Sequence, residues 1–217
     1  MTDTAPPLPG PGPAVEPEPP VAADLFGARI ELARQYAADL VEYGETLGLI
    51  GPLELERLWS RHLVNSVLVA PLLRQGRVGD VGSGAGLPGL VLAIARPEVQ
   101  LVLIEPMERR TEWLTAEADR LGLDNVEVVR ARAEEIDPSL DQVTARAVSA
   151  LRTLIPLAAP LARRGGELLL MKGARVEEEV VAAAKSIKRA KLRDVEVLVL
   201  GEGIVPESTR VFRATVD

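Results

Sequence analysis

Residues 78–89 read Val-Gly-Asp-Val-Gly-Ser-Gly-Ala-Gly-Leu-Pro-Gly, and this stretch decides the fold. A run typical of a β-strand ends at Val81, and four glycines follow within eight residues. Pro88 precedes a helical run, where a proline at the first helical position loses no hydrogen bond. The stretch therefore predicts a strand, a tight glycine turn and a helix. Such a turn directs backbone N–H groups and a positive helix end towards a ligand's polar groups, which favours a nucleotide-like cofactor.

The spacing of the glycines fits two classes of cofactor site. Gly82, Gly84 and Gly86, with Asp80 two residues ahead, resemble the first motif of S-adenosylmethionine-dependent methyltransferases. Shifted by two residues, Gly84, Gly86 and Gly89 match the dinucleotide-binding fingerprint.

Both kinds of site need an acidic residue at the end of the next strand to hold ribose hydroxyl groups. Glu105 meets this need because it ends the apolar run 101–104. A glycine turn that binds no ligand needs no such carboxylate. The pattern therefore favours a cofactor site.

The start of the chain differs in composition from the rest. Eight of the 17 prolines lie within residues 6–20, beside two glutamates and without a basic residue. Such a segment buries too little apolar surface to offset its ordering entropy, so residues 1–21 are expected to form a disordered proline-rich tail. The chain has 217 residues, which is enough for one core with a small appendage.

Cysteine and histidine usage limits the chemistry. The chain has no cysteine, which excludes disulfides and thiolate metal sites and fits a cytoplasmic protein. His62 is the sole histidine, so a multi-histidine metal site is excluded and no metal is expected. We see neither a secretory signal nor an apolar run of the roughly 18 residues that span a membrane, so no membrane association is expected.

The formal net charge of -7 argues against a protein that coats nucleic acid by bulk attraction. Basic residues nevertheless cluster locally, at Arg109 and Arg110 beyond the strand end at Glu105, and within residues 185–193. The first pair is a candidate RNA contact, and the second cluster is also explained by a solvated helix face.

Two helical segments precede the first strand. Apolar side chains recur at helical spacing over 28–48 and 53–73, so residues 22–75 are predicted to form an N-terminal helical extension. From there, apolar strand-like runs alternate with helical runs, which indicates a mostly parallel α/β sheet covered on both faces. The predicted strands are 78–81, 101–105, 126–130, 143–148, 167–172, 195–200 and 210–216, and the predicted helices are 88–95, 108–122, 150–162 and 175–190.

The end of the chain distinguishes the two cofactor classes. The last two predicted strands are joined by a loop alone, which permits an antiparallel last strand, as is typical of methyltransferases. A nicotinamide dehydrogenase usually needs a further substrate domain, and no residues remain to build one. Residues 76–217 are therefore predicted to form a Rossmann-like class I S-adenosylmethionine-dependent methyltransferase domain with a seven-stranded sheet.

Several methylation chemistries conflict with the sequence. Pyrimidine C5 methylation generally uses a cysteine nucleophile, which is absent. Exocyclic amino methylation usually requires an Asn/Asp-Pro-Pro-aromatic motif after the fourth strand, where this chain has Ala-Arg-Ala-Val-Ser at 145–149. Carboxyl, sulfur and ring-nitrogen acceptors remain open. Guanine N7 already carries a lone pair, so its methylation needs alignment more than a strong base.

Four short motifs narrow the choice further. They are Trp-Ser-Arg-His-Leu at 59–63, the turn at 82–89 with its Leu-Pro-Gly ending, Ala-Arg-Ala at 145–147 and Met-Lys-Gly at 171–173. In this order they resemble the bacterial small-subunit ribosomal RNA guanine-N7 methyltransferase family, also called glucose-inhibited division protein B. The resemblance covers about residues 24–216.

The resemblance implies methyl transfer from S-adenosylmethionine to N7 of one guanine in 16S ribosomal RNA, within the small subunit or an assembly intermediate. It implies that Gly82 and Leu87 line the methionine and ribose side of the cofactor, and that Ala133 and Glu134 flank the adenine. Arg146 would lie at the cofactor pocket close to the target base. Its alternative role is an ion pair with a nearby carboxylate, that of Asp80 or Glu134.

The same resemblance makes Arg61, His62 and Lys172 candidates for gripping RNA phosphate or orienting the guanine. His62 and Arg146 are the candidate catalytic residues, in a positioning sense. The alternative for His62 is a half-buried helix residue that is hydrogen-bonded to the backbone. The alternative for Lys172 is an exposed loop lysine without a role in RNA binding. The target guanine is expected in a loop or extruded from its stack.

Two features depart from the family pattern. The family commonly has Asp-Ser-Leu after the histidine, whereas residues 65–67 are Asn-Ser-Val, so an amide replaces a carboxylate. Aromatic residues are few, and Trp59 and Trp113 lie at helical spacing that favours core positions over base stacking. A methyltransferase for a small molecule or protein, and a regulatory module that binds the cofactor without catalysis, stay open as alternatives. We expect a monomer.

Overall fold

A computed structural model describes residues 14–137 and 139–217, in which seven strands form one sheet. The strands are β1 (Arg77–Val81), β2 (Gln100–Ile104), β3 (Val126–Val129), β4 (Leu140–Arg146), β5 (Ala162–Lys172), β6 (Leu192–Leu200) and β7 (Thr209–Val216). Their spatial order is β3-β2-β1-β4-β5-β7-β6. Strands β1 to β5 pair in parallel, whereas β7 runs antiparallel to both of its neighbours, β5 and β6. The predicted sheet with an antiparallel last strand is confirmed.

Helices cover both faces of the sheet. They are α1 (Val21–Phe26), α2 (Ile30–Tyr43), α3 (Asn65–Val67), α4 (Gly89–Ala95), α5 (Glu108–Arg120), α6 (Leu151–Ala158), α7 (Val176–Ala182) and α8 (Ala184–Arg189). One apolar cluster joins the sheet to α4, α5 and the helical extension, and the other joins it to α6 and the start of α7. Because Leu58 and Leu63 of the extension share their cluster with Leu90 and Leu101, the extension and the sheet have a common core.

The second predicted helix, 53–73, is a succession of short helical turns. A 3₁₀ turn over Pro52–Arg57 leads into a π-helical turn over Leu58–Val64, then α3, and a further 3₁₀ turn over Ala70–Leu72. Prolines occupy the starts of both 3₁₀ turns, where the missing N–H does not matter but a preceding α-helix cannot continue. Arg61 and His62 therefore lie on a π-helical turn, a geometry often found at functional sites.

Residues 1–13 of the predicted disordered tail lie outside the described residues. The described part makes defined contacts that the prediction did not include. Glu16 hydrogen bonds to Leu55 and Ser60, and Glu18 accepts two hydrogen bonds from Arg34. Ordered structure therefore begins before residue 21.

The described residues contain neither a membrane-spanning helix nor a cluster of metal-ligating side chains. None of their helices has the length and apolar character needed to cross a membrane. Nor do they bring together three histidine, cysteine, aspartate or glutamate residues that could hold a metal ion.

Candidate functional site

A cleft of about 990 Å³ opens at the carboxyl ends of β1, β4 and β5. The lining combines the glycine turn after β1, the last residues of β4 and β5 with those that follow them, the helical extension, and residues around the start of β7. Of the predicted site residues, seven line this cleft: Arg61, His62, Gly82, Gly84, Leu87, Arg146 and Lys172. The topology thus brings together motifs that are as distant in sequence as those of Arg61 and Lys172.

Asp80 lies beneath the glycine turn rather than on the lining of the cleft. Its Oδ2 accepts hydrogen bonds from the hydroxyl of Ser83 at 2.7 Å and from the N–H of Gly89 at 3.0 Å. Burial raises the pKa of Asp80 to about 6, although both hydrogen bonds lower it. The carboxylate therefore organises the turn, and its buried Oδ1 has no protein partner among the described residues.

Two glycines of the turn meet specific steric demands. Gly84 has φ +57°, and a Cβ there would meet no atom closer than 3.8 Å, so the turn leaves open space at this point. A Cβ on Gly89 would lie 2.3 Å from Leu103 and 2.6 Å from Asp80, which only glycine avoids. Gly86, also at positive φ, packs against Leu90 and does not line the cleft. The turn is thus packed tightly below and open above.

Glu105 is the carboxylate expected for the ribose. Its Oε2 accepts the N–H of Gly84 at 3.0 Å and its Oε1 accepts the N–H of Met107 at 3.0 Å. Each oxygen keeps a lone pair for a further donor. A fixed carboxylate beside an open glycine turn suits the ribose of S-adenosylmethionine, which has two free hydroxyl groups and carries no phosphate.

The main-chain oxygen of Ala85 fixes the glycine turn to two helices. It accepts hydrogen bonds from the hydroxyl of Tyr36 on α2 at 2.9 Å and from Nε1 of Trp113 on α5 at 2.8 Å. Both donors are buried, as is Trp59, which confirms the core positions predicted for the two tryptophans. The sequence pattern gave no sign of Tyr36, because only the fold brings α2 against the turn.

Ala133 and Glu134, predicted beside the adenine, lie in a short 3₁₀ turn (Ala133–Glu135) beyond the end of β3. Ala133 is buried and Glu134 is exposed, and neither lines the cleft. Their role in cofactor binding stays a prediction.

Arg146 connects the end of β4 to the helical extension. Its guanidinium donates to the main-chain oxygen of Arg61 at 2.7 Å and to Nδ1 of His62. Within the described residues its hydrogen bonds go to these two groups, and the alternative ion pair with Asp80 or Glu134 is not formed. Arg146 is thus held by neutral acceptors rather than by a direct ion pair.

Glu54 completes this arrangement and was missed from the sequence. Its carboxylate lies 2.9 Å from Nε2 of His62. Because Nδ1 accepts from Arg146, Nε2 carries the ring proton and donates to Glu54. Burial and the charge of Arg146 lower the pKa of His62 to about 4, against the opposing effect of Glu54. The imidazole is therefore neutral near pH 7 and acts as an acceptor for Arg146.

This geometry bears on Asn65, which stands where the family commonly has an aspartate. Asn65 lines the cleft, but the carboxylate that orients His62 belongs to Glu54. An amide at position 65 therefore leaves the histidine properly oriented. No sequence signal singled out Glu54, which lies in the preceding 3₁₀ turn.

Lys172 lines the cleft, but its ammonium group is already engaged. It donates to the main-chain oxygen of Ser149 at 2.8 Å and pairs with Glu179 at 2.8 Å, and its side chain is 10% exposed. Glu179 also accepts the N–H of Leu151 at the start of α6. Lys172 thus fixes the loop after β4 and is not an exposed loop lysine, and its role as an RNA contact stays a prediction.

The loop after β4 also contains a strained residue. Ala147 follows Arg146 directly and has φ +56°, a left-handed conformation that costs an L-residue about 1–2 kcal/mol. Such strain is typical of functional sites. The left-handed conformation of Ala147 turns the main chain away from β4 immediately after Arg146.

Arg109 is exposed and lies outside the lining, whereas its neighbour Arg110 lines the cleft, 3.8 Å from Glu105. Among the lining residues, basic side chains outnumber acidic ones by six to two. The basic ones are Arg57, Arg61, Arg110, Arg146, Lys172 and Arg210, and the acidic ones are Glu54 and Glu207. An acidic protein therefore has a basic cleft.

Comparisons with known proteins identify the family of the chain. A family model described as rRNA small subunit methyltransferase G matches residues 29–208. The ribosomal RNA small subunit methyltransferase G of Clavibacter sepedonicus is 64% identical over 205 residues, covering 94% of this chain and 97% of that protein. The protein of the same name from Pseudarthrobacter chlorophenolicus is 49% identical over 199 residues, covering 90% and 92%.

Solved structures resemble the chain at lower identity. A predicted O-methyltransferase from Agrobacterium tumefaciens gives a TM-score of 0.56 at 17% identity, covering 70% of this chain and 80% of that one. TYW2 from M. jannaschii in complex with AdoMet gives 0.54 at 17% identity, covering 72% and 75%. At such identities the likeness concerns the fold, and it confirms the predicted methyltransferase architecture.

Proposed function

Because the chain belongs to the rRNA small subunit methyltransferase G family, we propose that it transfers a methyl group from S-adenosylmethionine to N7 of one guanine in 16S rRNA. The observation that carries the proposal is the cleft itself. Its lining includes the glycine turn, the Arg146–His62 pair and several basic side chains, and the buried Glu105 accepts a hydrogen bond from the turn at Gly84.

The cofactor residues divide by what they contact. Glu105 would hold the ribose diol, and the open side of the turn at Gly82 and Gly84 would receive the methionine and ribose part, together with Leu87. Asp80 and Gly86 would support the turn from below. When bound, S-adenosylmethionine supplies an electrophilic methyl group on a positively charged sulfur.

The protein's contribution to the chemistry is alignment. Guanine N7 attacks with its own lone pair and loses no proton, so no side chain has to act as a base. Arg146, held by His62 and the carbonyl of Arg61, would direct its remaining N–H groups to the guanine or a flanking phosphate. Orientation of this kind lowers the activation barrier by up to about 7–11 kcal/mol in favourable cases.

The basic lining would attract the RNA backbone, since phosphate contacts dominate affinity and fix position. Within the described residues no phenylalanine, tyrosine or tryptophan lines the cleft, so an arginine plane or the RNA itself would stack on the base. Small ribosomal subunits or their assembly intermediates are the proposed substrate, which implies a cytoplasmic location. We also propose that the enzyme acts as a monomer.

The test is methyl transfer from labelled S-adenosylmethionine to small subunits from cells that lack this protein, followed by nucleoside analysis. Label in 7-methylguanosine supports the proposal. The variant Glu105→Ala should lose cofactor binding and label together. Its matched control is Glu112→Ala on the exposed face of α5, which should keep both. Label in peptide or metabolites with none in RNA would reject the rRNA substrate.

A further inference from the structure

Glu16 bridges the two helical turns that hold His62. Its main-chain N–H donates to the carbonyl of Leu55 at 2.9 Å. Its carboxylate Oε2 accepts the N–H of Ser60 at 2.9 Å and the hydroxyl of Ser60 at 3.1 Å. Leu55 belongs to the 3₁₀ turn, and Ser60 to the π-helical turn that follows. Three hydrogen bonds from one residue therefore tie two successive turns together.

These turns contain both ends of the hydrogen-bond chain to Arg146. Glu54, which accepts from His62, is adjacent to Leu55, and Ser60 immediately precedes Arg61. A shift of one turn against the other would change the Glu54–His62 distance, and with it the imidazole that receives the Arg146 guanidinium.

The Ser60 N–H lies in the first turn of the π-helical segment, and this turn has no side-chain cap from its own N-cap residue, Arg57. A carboxylate is the favoured partner at such an end because it satisfies the N–H and complements the helix dipole.

The segment around Glu16 is held independently of this cap. Glu18 forms two hydrogen bonds with Arg34 of α2, at 2.6 and 2.8 Å. Residues 14–20 precede the part of the chain that matches the family model, which begins at residue 29.

We propose that Glu16 is a positioning residue for methyl transfer, which fixes the Glu54 and His62 turns so that Arg146 faces the target base. This inference rests on the proposed function for its kinetic readout. It acts on the guanine side of the cleft, so the affinity for S-adenosylmethionine should stay within about two-fold.

The test compares Glu16→Ala, Glu16→Gln and two controls in the full-length, untagged chain. Glu16→Ala should lower kcat about 5- to 20-fold on small subunits, since small misplacements at an aligned centre are costly. Glu16→Gln keeps an acceptor for Ser60 and should lose less. Asp24→Asn, an exposed charge on α1, should match the wild type, and Glu18→Ala should fall less than Glu16→Ala.

A second readout is independent of activity. His62 is the only histidine, so ¹⁵N-histidine labelling gives one pair of ring signals. These signals should shift in Glu16→Ala and stay in place in Asp24→Asn, even if the methyl acceptor proves to be other than rRNA. Unchanged kcat and unchanged ring signals in Glu16→Ala would overturn the inference, as would an equal loss in Glu18→Ala. If Glu16→Ala fails to fold, the smaller loss of kcat and the ring-signal shift expected for Glu16→Gln are compared with the same two controls.

Discussion

The hydroxyl of Tyr36 donates to the main-chain oxygen of Ala85 across 2.9 Å, and this bond joins the helical extension to the glycine turn. Trp113 donates to the same oxygen from the other side. Because the carbonyl is buried and held by two donors, the peptide following Ala85 has one orientation. The extension therefore forms part of the cofactor site's framework as well as closing the cleft.

Removing this bond tests the extension's role. Tyr36→Phe keeps the ring and its packing, and it should weaken S-adenosylmethionine binding about 3- to 10-fold, since one hydrogen bond contributes about 0.5–1.5 kcal/mol. Tyr43→Phe is the matched control, because Tyr43 stacks near Trp113 without contacting the turn. Calorimetric titration measures both. Wild-type affinity in Tyr36→Phe would show that Trp113 alone holds the turn.

His62 is expected to be neutral throughout the working range. Its pKa of about 4 results from burial and the charge of Arg146. The folded state therefore releases a proton that the unfolded state binds between about pH 6.5 and pH 4, so this group lowers stability as the pH falls through that window. The single ¹⁵N-histidine spectrum should show an Nε2-protonated ring with no titration above pH 5. Arg146→Met should move the midpoint upwards, and a wild-type midpoint near 6.5 would contradict the arrangement.

The sheet was predictable because its signals are local. Strand β2 was expected at 101–105 and is found at Gln100–Ile104, since buried parallel strands give continuous apolar runs. The glycine turn was equally evident, because its steric needs are met by residues adjacent in sequence. The antiparallel β7 followed from the short loop that precedes it.

Side-chain partners were less predictable because they depend on distant segments. Arg146 and His62 are 84 residues apart, and only the packed fold shows that one donates to the other. Lys172 was expected to be free for RNA, yet it is bonded to Glu179 from α7. Arg109 and Arg110 differ by one helical step of about 100°, which exposed the first and directed the second to the cleft.

The two adjacent arginines allow a charge-matched test of the RNA contact. Arg110→Ala should weaken binding of small subunits about 3- to 10-fold and reduce the slope of log affinity against log salt by about one. Arg109→Ala removes the same charge from the helix but lies outside the lining, so it should stay within about two-fold. Filter binding across a salt series measures both variants. Equal effects would mean that the RNA contacts the outer face of α5.

A buried carboxyl pair lies away from the cleft, between α2 and α5. Glu117 is fully buried, and its Oε2 accepts from Arg120 at 2.9 Å. Its Oε1 lacks a hydrogen-bond partner among the described residues, and Oδ2 of Asp39 lies 3.3 Å from Nη1 of the same Arg120. Burial and the charge of Asp39 raise the pKa of Glu117 to about 8, which means that Glu117 keeps its proton at neutral pH.

Glu117→Gln should therefore stabilise the protein at alkaline pH. Between about pH 4.5 and pH 8 the folded state holds a proton that the unfolded state releases, so this group's contribution is complete below pH 4.5 and is lost as the pH rises through 8. A glutamine amide is close in shape to the protonated carboxyl and does not titrate. Urea unfolding should show a gain of about 1–3 kcal/mol at pH 8.5 that shrinks at pH 6. Glu112→Gln on the exposed face of α5 should give no such pH-dependent difference, and a Glu117→Gln variant less stable at pH 8.5 would show that the carboxylate is ionised and needed for Arg120.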